Sequence, residues 1–306
     1  MNYFDEINKL KTQKNALILG HYYLADDVQD IADYIGDSYG LAKKASEIDS
    51  DIIVFAGVKF MAETAKILNS DKKVLLANMD SGCPLADMVT GEDIRNARKK
   101  YNNLFVVCYV NSNAEVKAES DVCVTSRNAA IIVKNIDKKY ENILFVPDKN
   151  LGHYVQQITG RKLILWDGFC CVHENLSDKK IDEIRKNDSE AVILAHPECR
   201  KEVLEKVDHA FSTSGMVNFA KENTDLRIYT ATETGVLKSM KNYNSNVFGV
   251  SEKMICGNMK KITLQNIYDV LKNEINNIEL SDEIMEKAYN PIKKMIEMTE
   301  SEAVSK

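Results

Sequence analysis

The chain has 306 residues, with 40 basic and 46 acidic residues and a formal net charge of −6. No block of lysine or arginine is present that could follow a phosphate backbone, so nucleic acid is not an expected partner. The longest apolar runs have the length of strands, and the N-terminal segment has the pattern of an amphipathic helix. We therefore expect neither a membrane span nor a signal peptide, and we predict a cytoplasmic location.

The predicted elements follow the same order three times along the chain. Each unit begins with a charged amphipathic helix and an apolar strand, and the three helices are predicted in FDEINKLKTQKN, GEDIRNARKKYNN and SDKKIDEIRKNDSE. A polar loop, a further helix, a second strand and helix, and a short strand that carries a cysteine follow. Such alternation predicts parallel sheets with helices on both faces.

We therefore predict an α/β fold of three three-layer α/β/α domains, related by a pseudo-threefold axis and arranged around a central active site. The repeat of about 87 residues places domain 1 at residues 1–85, domain 2 at 86–172 and domain 3 at 173–260. Residues 261–306 are predicted to form helices that pack back on domain 1 and close it.

A polar residue after the first strand of each unit is followed 17 residues later by a hydroxyl. The pairs are His21 with Ser38, Tyr109 with Ser126, and His196 with Thr213. Each hydroxyl lies where a helix is predicted to begin, so its plain role is to cap that helix. Because helix N-termini also present free N–H groups, three of them around one axis favour a substrate rich in carboxylate or phosphate.

Each unit also carries a cysteine near its end, beside a glycine. The three are Cys83 in SGCP, Cys170 in DGFCC and Cys256 in ICGN. Equivalent positions of three related domains face a common axis, so we predict that the three thiols ligate one metal centre. Cys171 is an alternative to Cys170, since neighbouring residues of a strand point to opposite faces and only one would reach the axis.

Three thiolates suit two kinds of metal centre. One is zinc with an open position, and the other is an iron–sulfur cluster in which one iron lacks a protein ligand. The residues alone leave both open. Either centre would provide a Lewis acid that binds a hydroxyl or a carboxylate.

Candidate acid–base residues lie close to these positions in the sequence. His21 and His196 occupy equivalent sites, which favours catalytic or substrate-binding roles over simple packing. Tyr23, Asn111 and Glu198 lie two residues beyond the paired positions, on the same face of the extended chain. We predict Glu198 as a general base and Tyr23 as a general acid.

The motifs around these residues resemble those of the quinolinate synthase family. They are LGHYY with GDS, SGCPLADM, CYVNS with VTSRNA, WDGFCCVH, AHPEC with STSGM, and MICGNMKKITL. The resemblance implies condensation of iminoaspartate with dihydroxyacetone phosphate to quinolinate, with release of phosphate and water. It also implies a 4Fe-4S cluster held by Cys83, Cys170 and Cys256, whose open iron binds substrate.

By the same resemblance, one set of residues surrounds the substrates. The set is His21, Ser38, Tyr109, Asn111, Ser126, His173, His196, Glu198, Ser212 and Thr213. Proton transfers on the triose suit Glu198, Tyr23 and Tyr109, and the histidines His21 and His196 complete the catalytic candidates. His173 is alternatively a surface residue that only forms a hydrogen bond.

Two other functions could use the same three thiols. One is a zinc-dependent lyase or aldolase. The other is a non-catalytic iron–sulfur sensor, for which an apolar or basic partner surface would be expected, and the sequence shows none. Because iminoaspartate is labile, the synthase interpretation implies transient contact with an aspartate oxidase or dehydrogenase that supplies it.

Overall fold

A computed structural model describes residues 2–304, and within them the chain forms three four-stranded sheets whose neighbouring strands are all parallel. The first unit consists of α1 (Tyr3–Gln13), β1 (Ala16–His21), α2 (Asp26–Ile31), β2 (Tyr34–Gly36), α3 (Ser38–Ser46), β3 (Ile52–Ala56), α4 (Lys59–Leu68), β4 (Lys73–Leu76) and the 3-10 helix η1 (Ala86–Met88).

The second and third units repeat this order. The second consists of α5 (Gly91–Lys100), β5 (Leu104–Tyr109), α6 (Ala114–Ala118), β6 (Val122–Val124), α7 (Ala129–Lys134), β7 (Asn142–Val146), α8 (Lys149–Thr159), β8 (Ile164–Leu165) and α9 (Cys171–Glu174). The third consists of α10 (Lys179–Asn187), β9 (Val192–Ala195), α11 (Lys201–Leu204), β10 (His209–Ala210), α12 (Thr213–Glu222), β11 (Ile228–Ala231), α13 (Val236–Lys241), β12 (Val247–Gly249) and α14 (Gly257–Lys260).

The strands have the same order in all three sheets. The orders are β2-β1-β3-β4, β6-β5-β7-β8 and β10-β9-β11-β12. The central strands are apolar and largely buried, as is typical of parallel sheets that are covered on both faces, and the predicted α/β fold is confirmed. The sequence pattern does not predict the edge strands β2, β6 and β10, because two or three residues carry no periodicity.

An aspartate directly before each of these edge strands links the layers of its unit. Its carboxylate accepts the backbone N–H of the first strand, at 2.8, 2.7 and 2.7 Å, from Ile18, Val106 and Ile193. It also pairs with a basic residue of the opening helix at 2.5, 2.8 and 2.6 Å, the pairs being Asp33 with Lys11, Asp121 with Arg98, and Asp208 with Arg185. The same contact therefore fixes helix to sheet three times.

Two further helices, α15 (Leu264–Asn273) and α16 (Asp282–Val304), follow the third unit. α15 packs against α1 and contributes Ile267 and Leu271 to the apolar core of the first unit. α16 lies mainly against α6 and β6, where Ala288, Ile292 and Met295 are buried in the core of the second unit, and it also contacts α4. None of the helices in the described part of the chain combines the length and the apolar character that crossing a bilayer requires.

Candidate active site

One cavity, with an empty volume of about 780 Å³, lies where the three units meet. The first strands end at it, since His21 and Tyr109 are the last residues of β1 and β5 and His196 directly follows β9. The carboxyl ends of parallel strands are the usual ligand sites of α/β folds. The predicted site residues that line the cavity are His21, Tyr23, Ser38, Cys83, Tyr109, Asn111, Ser126, Cys170, His173, His196, Glu198, Thr213 and Cys256. Ser212 is the one predicted site residue outside this lining.

The histidines His21 and His196 are buried in matching positions. Burial lowers the pKa of each imidazole from 6.5 to about 4, so both rings are neutral near pH 7. Each Nδ1 accepts the backbone N–H two residues on, from Tyr23 at 3.2 Å and from Glu198 at 3.3 Å. The proton of each neutral ring is therefore on Nε2. His196 Nε2 lies 3.2 Å from Ser126 Oγ and donates to it.

Glu198 is buried and held by four polar neighbours. Its Oε1 accepts hydrogen bonds from Tyr109 Oη at 2.7 Å and from Asn111 Nδ2 at 3.3 Å. Its Oε2 lies 2.8 Å from His173 Nδ1 and 3.5 Å from His196 Nδ1. Burial acts to raise the pKa of Glu198, but the two histidines and the Tyr109 hydroxyl outweigh it and hold this pKa below its usual range. Glu198 is therefore ionised at neutral pH and can accept a proton.

Tyr23 lies on another wall of the cavity and keeps its proton. Its hydroxyl lies 3.0 Å from Thr213 Oγ1 and 2.8 Å from Thr232 Oγ1. Burial raises the pKa of Tyr23 well above its ordinary value, and it does the same for Tyr109. Thr232 Oγ1 also lies 2.9 Å from His173 Nε2, so one hydroxyl connects Tyr23 to the ring that contacts Glu198. Sequence reasoning missed Thr232, which directly follows β11.

The hydroxyls that were predicted to cap helices occupy different positions. Ser38 and Thr213 are the first residues of α3 and α12, and the caps are the preceding residues Asp37 and Ser212. Their side chains accept a backbone N–H three residues on, at 2.9 and 3.2 Å. The capping prediction is therefore wrong for Ser38 and Thr213, and also for Ser126, since the N-cap of α7 is Asn128. All three hydroxyls line the cavity, where Thr213 Oγ1 contacts the Tyr23 hydroxyl. The same geometry explains why Ser212, the cap of α12, lies outside the lining.

The three cysteines lie at the starts of short helices, not on the short strands that the sequence predicts. Cys170 and Cys256 are the N-cap residues of α9 and α14, and Cys83 precedes η1. The backbone N–H groups of Ala86, His173 and Met259 act to lower the pKa of these thiols, but the side chains of Cys170 and Cys256 form no capping hydrogen bond. Burial nevertheless raises the pKa of all three thiols, that of Cys83 to about 12. A positive group beside them would be needed to stabilise the thiolates.

One group of side chains is close enough to hold a single metal ion. The ligand atoms of Cys170, His173 and Glu198 lie within 4.8 Å of one another. Across residues 2–304, Cys83 and Cys256 do not belong to any such group. Cys171 also lines the cavity but is exposed, whereas Cys170 Sγ lies 3.2 Å from His173 Nδ1. Cys170 is the N-cap residue of a helix and not a strand residue. The expectation that Cys170 and Cys171 point to opposite faces of a strand therefore does not apply, and it cannot decide which of them is the ligand.

Two polar atoms of the cavity lining have no hydrogen-bond partner. They are Oδ1 of Asn111 and Oγ1 of Thr125, and both are buried. An unpaired buried acceptor or hydroxyl costs about 1–3 kcal/mol. A polar ligand in the cavity would supply the missing partners. Sequence reasoning did not select Thr125, which precedes Ser126.

A cavity of this kind, with an ionised carboxylate, neutral histidines, protonated tyrosines and metal-ligating side chains at the carboxyl ends of parallel strands, defines an α/β enzyme whose active site can bind a metal. The family model described as "Quinolinate synthetase A protein" matches residues 5–297. The chain therefore belongs to the quinolinate synthase family, and the family predicted from the motifs is confirmed.

Individual relatives match over nearly their whole length. A quinolinate synthase of Caldicellulosiruptor bescii is 47% identical, with 96% of this chain and 97% of the relative covered. Those of Alkaliphilus metalliredigens and Aquifex aeolicus are 44% and 43% identical, with 97% and 96% of this chain and 98% and 93% of the relatives covered. Because the family is one of enzymes, the non-catalytic sensor is not retained.

Proposed function

We propose that the protein condenses iminoaspartate with dihydroxyacetone phosphate to quinolinate, with release of phosphate and water. The observation that carries the proposal is the position of Glu198. It lies between Tyr109 and His173, at 2.7 and 2.8 Å, in a cavity that also holds the three predicted ligand thiols. Condensation and dehydration require several proton transfers, and this carboxylate has a donor or an acceptor on each side.

Glu198 is the general base of the proposal. It is ionised, and it is buried, so a proton taken from the triose is not lost to bulk water. Tyr109 and Tyr23 keep their protons at neutral pH and serve as general acids toward leaving oxygens. His21 is neutral and carries its proton on Nε2, so it can donate a hydrogen bond to a substrate oxygen without adding positive charge. The Nε2 proton of the neutral His196 is instead donated to Ser126, through which His196 acts.

Both substrates are anions, and two helix N-termini at the cavity suit them. Ser38 and Thr213 open α3 and α12, which have 9 and 10 residues, and their first-turn N–H groups favour carboxylate or phosphate. Ser126 Oγ accepts from His196 and can donate its own proton to an anion. The unpartnered oxygens of Asn111 and Thr125 offer two further polar contacts.

Cys83, Cys170 and Cys256 would hold a 4Fe-4S cluster. Two thiolates on one zinc ion, at about 2.3 Å each, are at most about 4.6 Å apart. The three thiols do not form a group of that size in the described residues, which supports a larger centre than one ion. When bound, the cluster supplies an iron without a protein ligand, a Lewis acid for a hydroxyl or carboxylate of the substrate.

A zinc-dependent lyase or aldolase is the second candidate, because Cys170, His173 and Glu198 lie within 4.8 Å of one another. Sulfur, nitrogen and carboxylate ligands are the donors that catalytic zinc uses. Iron, sulfide and zinc analysis of protein purified without oxygen separates the two candidates. Stoichiometric zinc without sulfide would favour the lyase.

The proposed reaction also has consequences in the cell. Iminoaspartate is labile, so an aspartate oxidase or dehydrogenase would supply it through transient contact. We place this reaction in the cytoplasm. Co-purification of quinolinate-forming activity with such an oxidase would support the contact.

The deciding experiment supplies cluster-loaded, anaerobically purified protein with dihydroxyacetone phosphate and freshly generated iminoaspartate. We expect quinolinate from the parent protein and none from Cys83→Ala, which would lack a cluster ligand. Cys123→Ala, a buried cysteine outside the cavity, is the control and should retain product formation. An intact cluster without quinolinate in the parent would overturn the proposed function.

A further inference from the structure

The turn after the third strand of each unit carries a residue that differs among the units. Asp148 lies two residues beyond β7, Glu233 two residues beyond β11, and Val58 two residues beyond β3. Both carboxyl side chains are fully buried, with no exposed surface. Neither lines the cavity, and the roles proposed above use neither. Both nevertheless contact a cysteine.

Asp148 joins the start of a helix to the loop of Cys170. Its Oδ1 accepts the backbone N–H of Leu151 at 2.8 Å, which caps α8. Its Oδ2 accepts the backbone N–H of Cys170 at 3.1 Å. A further contact, from Lys149 N to Gly168 O at 2.8 Å, holds the same two segments together. The Asp148 side chain therefore caps α8 and at the same time fixes the backbone amide of Cys170.

Glu233 forms the same pair of contacts in the third unit. Its Oε2 accepts the backbone N–H of Gly235 at 2.7 Å, and its Oε1 accepts that of Cys256 at 3.1 Å. Lys260 Nζ lies 3.1 Å from Oε1 and donates to the carbonyl of Tyr23 at 2.7 Å. Glu233 thus connects one cysteine to the backbone of a cavity tyrosine from another unit.

The first unit has no carboxylate at the equivalent position. Val58 has no acceptor in its side chain, and the loop before Cys83 is tied to the turn through Ser81 instead. Ser81 Oγ donates to Gly57 O at 3.0 Å, and Ser81 O accepts from Lys59 N at 2.9 Å. These contacts fix the chain at Ser81, two residues before Cys83. Neither of them involves the backbone amide of Cys83.

We propose that Asp148 and Glu233 are positioning residues for the metal centre, each fixing the backbone amide of one cysteine ligand, and that Cys83 has no such residue. The inference rests on the cluster of the proposed function. An amide that is bonded to a carboxylate cannot turn to donate to a sulfur atom of the cluster. Hydrogen bonds to sulfur set the reduction potential of such clusters, and partners behind the ligands set metal affinity.

The variants Asp148→Asn and Glu233→Gln test this with little change of shape. Each retains one carbonyl oxygen, so one of the two N–H groups loses its acceptor. We expect the midpoint potential and the electron paramagnetic resonance spectrum of the reduced cluster to shift in both variants. Iron loss to a ferrous chelator should be about 10- to 100-fold faster.

The matched control is Asp121→Asn. Asp121 also accepts a backbone N–H, from Val106 at 2.7 Å, but it contacts no cysteine. This variant should lower stability and leave the potential, the spectrum and the rate of iron loss unchanged. If one of the two test variants does not fold, the other decides the question alone, since the two residues lie in different units.

Several outcomes would overturn the inference. Unchanged potential, spectrum and iron loss in the folded test variants would do so, as would equal shifts in Asp121→Asn. A parent protein that binds no cluster would overturn the inference and the cluster assignment together. A parent protein that holds the cluster but forms no quinolinate would overturn only the proposed function, and the spectroscopic comparison would still test Asp148 and Glu233.

Discussion

The acid–base side chains and the thiols of the cavity differ in how far the folded chain alone supplies the partners that they need. On the acid–base side, Tyr23, Tyr109, His173, His196 and Glu198 find their hydrogen-bond partners within the chain. On the thiol side, burial raises the pKa of Cys83, Cys170 and Cys256, so their thiolates need a positive group beside them. The first side is preformed, whereas the second would be completed by the proposed metal centre, whose binding would release protons and couple to folding.

The largest effect that would sharpen this contrast is expected for Glu198→Gln. Removing the base should lower the turnover rate by about 10²- to 10⁴-fold, because the other carboxylate of the lining, Asp37, already caps α3. The cluster content should remain that of the parent, since all three predicted cysteine ligands are retained. Turnover and visible absorption on the same sample provide the check. Glu202→Gln, on the exposed face of α11, is the control, and full turnover in Glu198→Gln would contradict the proposed role.

A pH series tests whether the acid–base side is preformed. The pKa of His21 and of His196 is about 4 in the folded protein, against 6.5 for an ordinary histidine. Between pH 6.5 and 4 the unfolded chain binds protons that the folded chain does not, so the free energy of unfolding should fall as the pH falls through this window. The full loss is about 3 kcal/mol for each histidine.

Urea unfolding from pH 7 to pH 4.5 measures this dependence. In His196→Gln the curve of stability against pH should be flatter than that of the parent. His153→Gln, which changes an exposed histidine, is the control for the substitution itself. Equal slopes for the parent and for His196→Gln would show that this histidine is not buried as a neutral ring.

A smaller effect is expected for Thr232→Val, which breaks the connection between Tyr23 and His173. The loss of a buried hydrogen bond of about 1–1.5 kcal/mol predicts a turnover rate about tenfold lower with an unchanged cluster. Thr230→Val is the matched control, because Thr230 is equally buried on β11 but accepts no contact from the cavity. Equal losses in the two variants would indicate general destabilisation and break the assignment.

Repeat spacing explains why much of this site could be predicted from the sequence. Equivalent strand ends in three similar units must reach the same place, so the positions of His21, Tyr109 and His196 follow from their offsets. The cysteines follow from the same argument, although the prediction placed them on strands. Short loops and helix starts carry no periodic signal, so their conformation could not be derived in this way.

The residues that were missed act across large sequence separations. Thr232 is 209 residues away from its partner Tyr23, and no local sequence pattern predicts such a contact. Asp148 and Glu233 are single carboxylates that accept hydrogen bonds from backbone amides. Every residue except proline has such an amide, so the sequence does not show which amides they bind. The aspartates before the edge strands, by contrast, recur at positions 33, 121 and 208, and a search for equivalent positions could have found them.

The position of α16 has a consequence for the order in which the protein can be built. Its residues Ala288, Ile292 and Met295 complete the core of the second unit, which lies in the middle of the chain. During synthesis the first unit can assemble most of its sheet early, whereas the middle unit must wait until α16 has left the ribosome. The core of the middle unit therefore stays incompletely buried until α16 is made, and until then this unit is exposed to proteases and to misassembly.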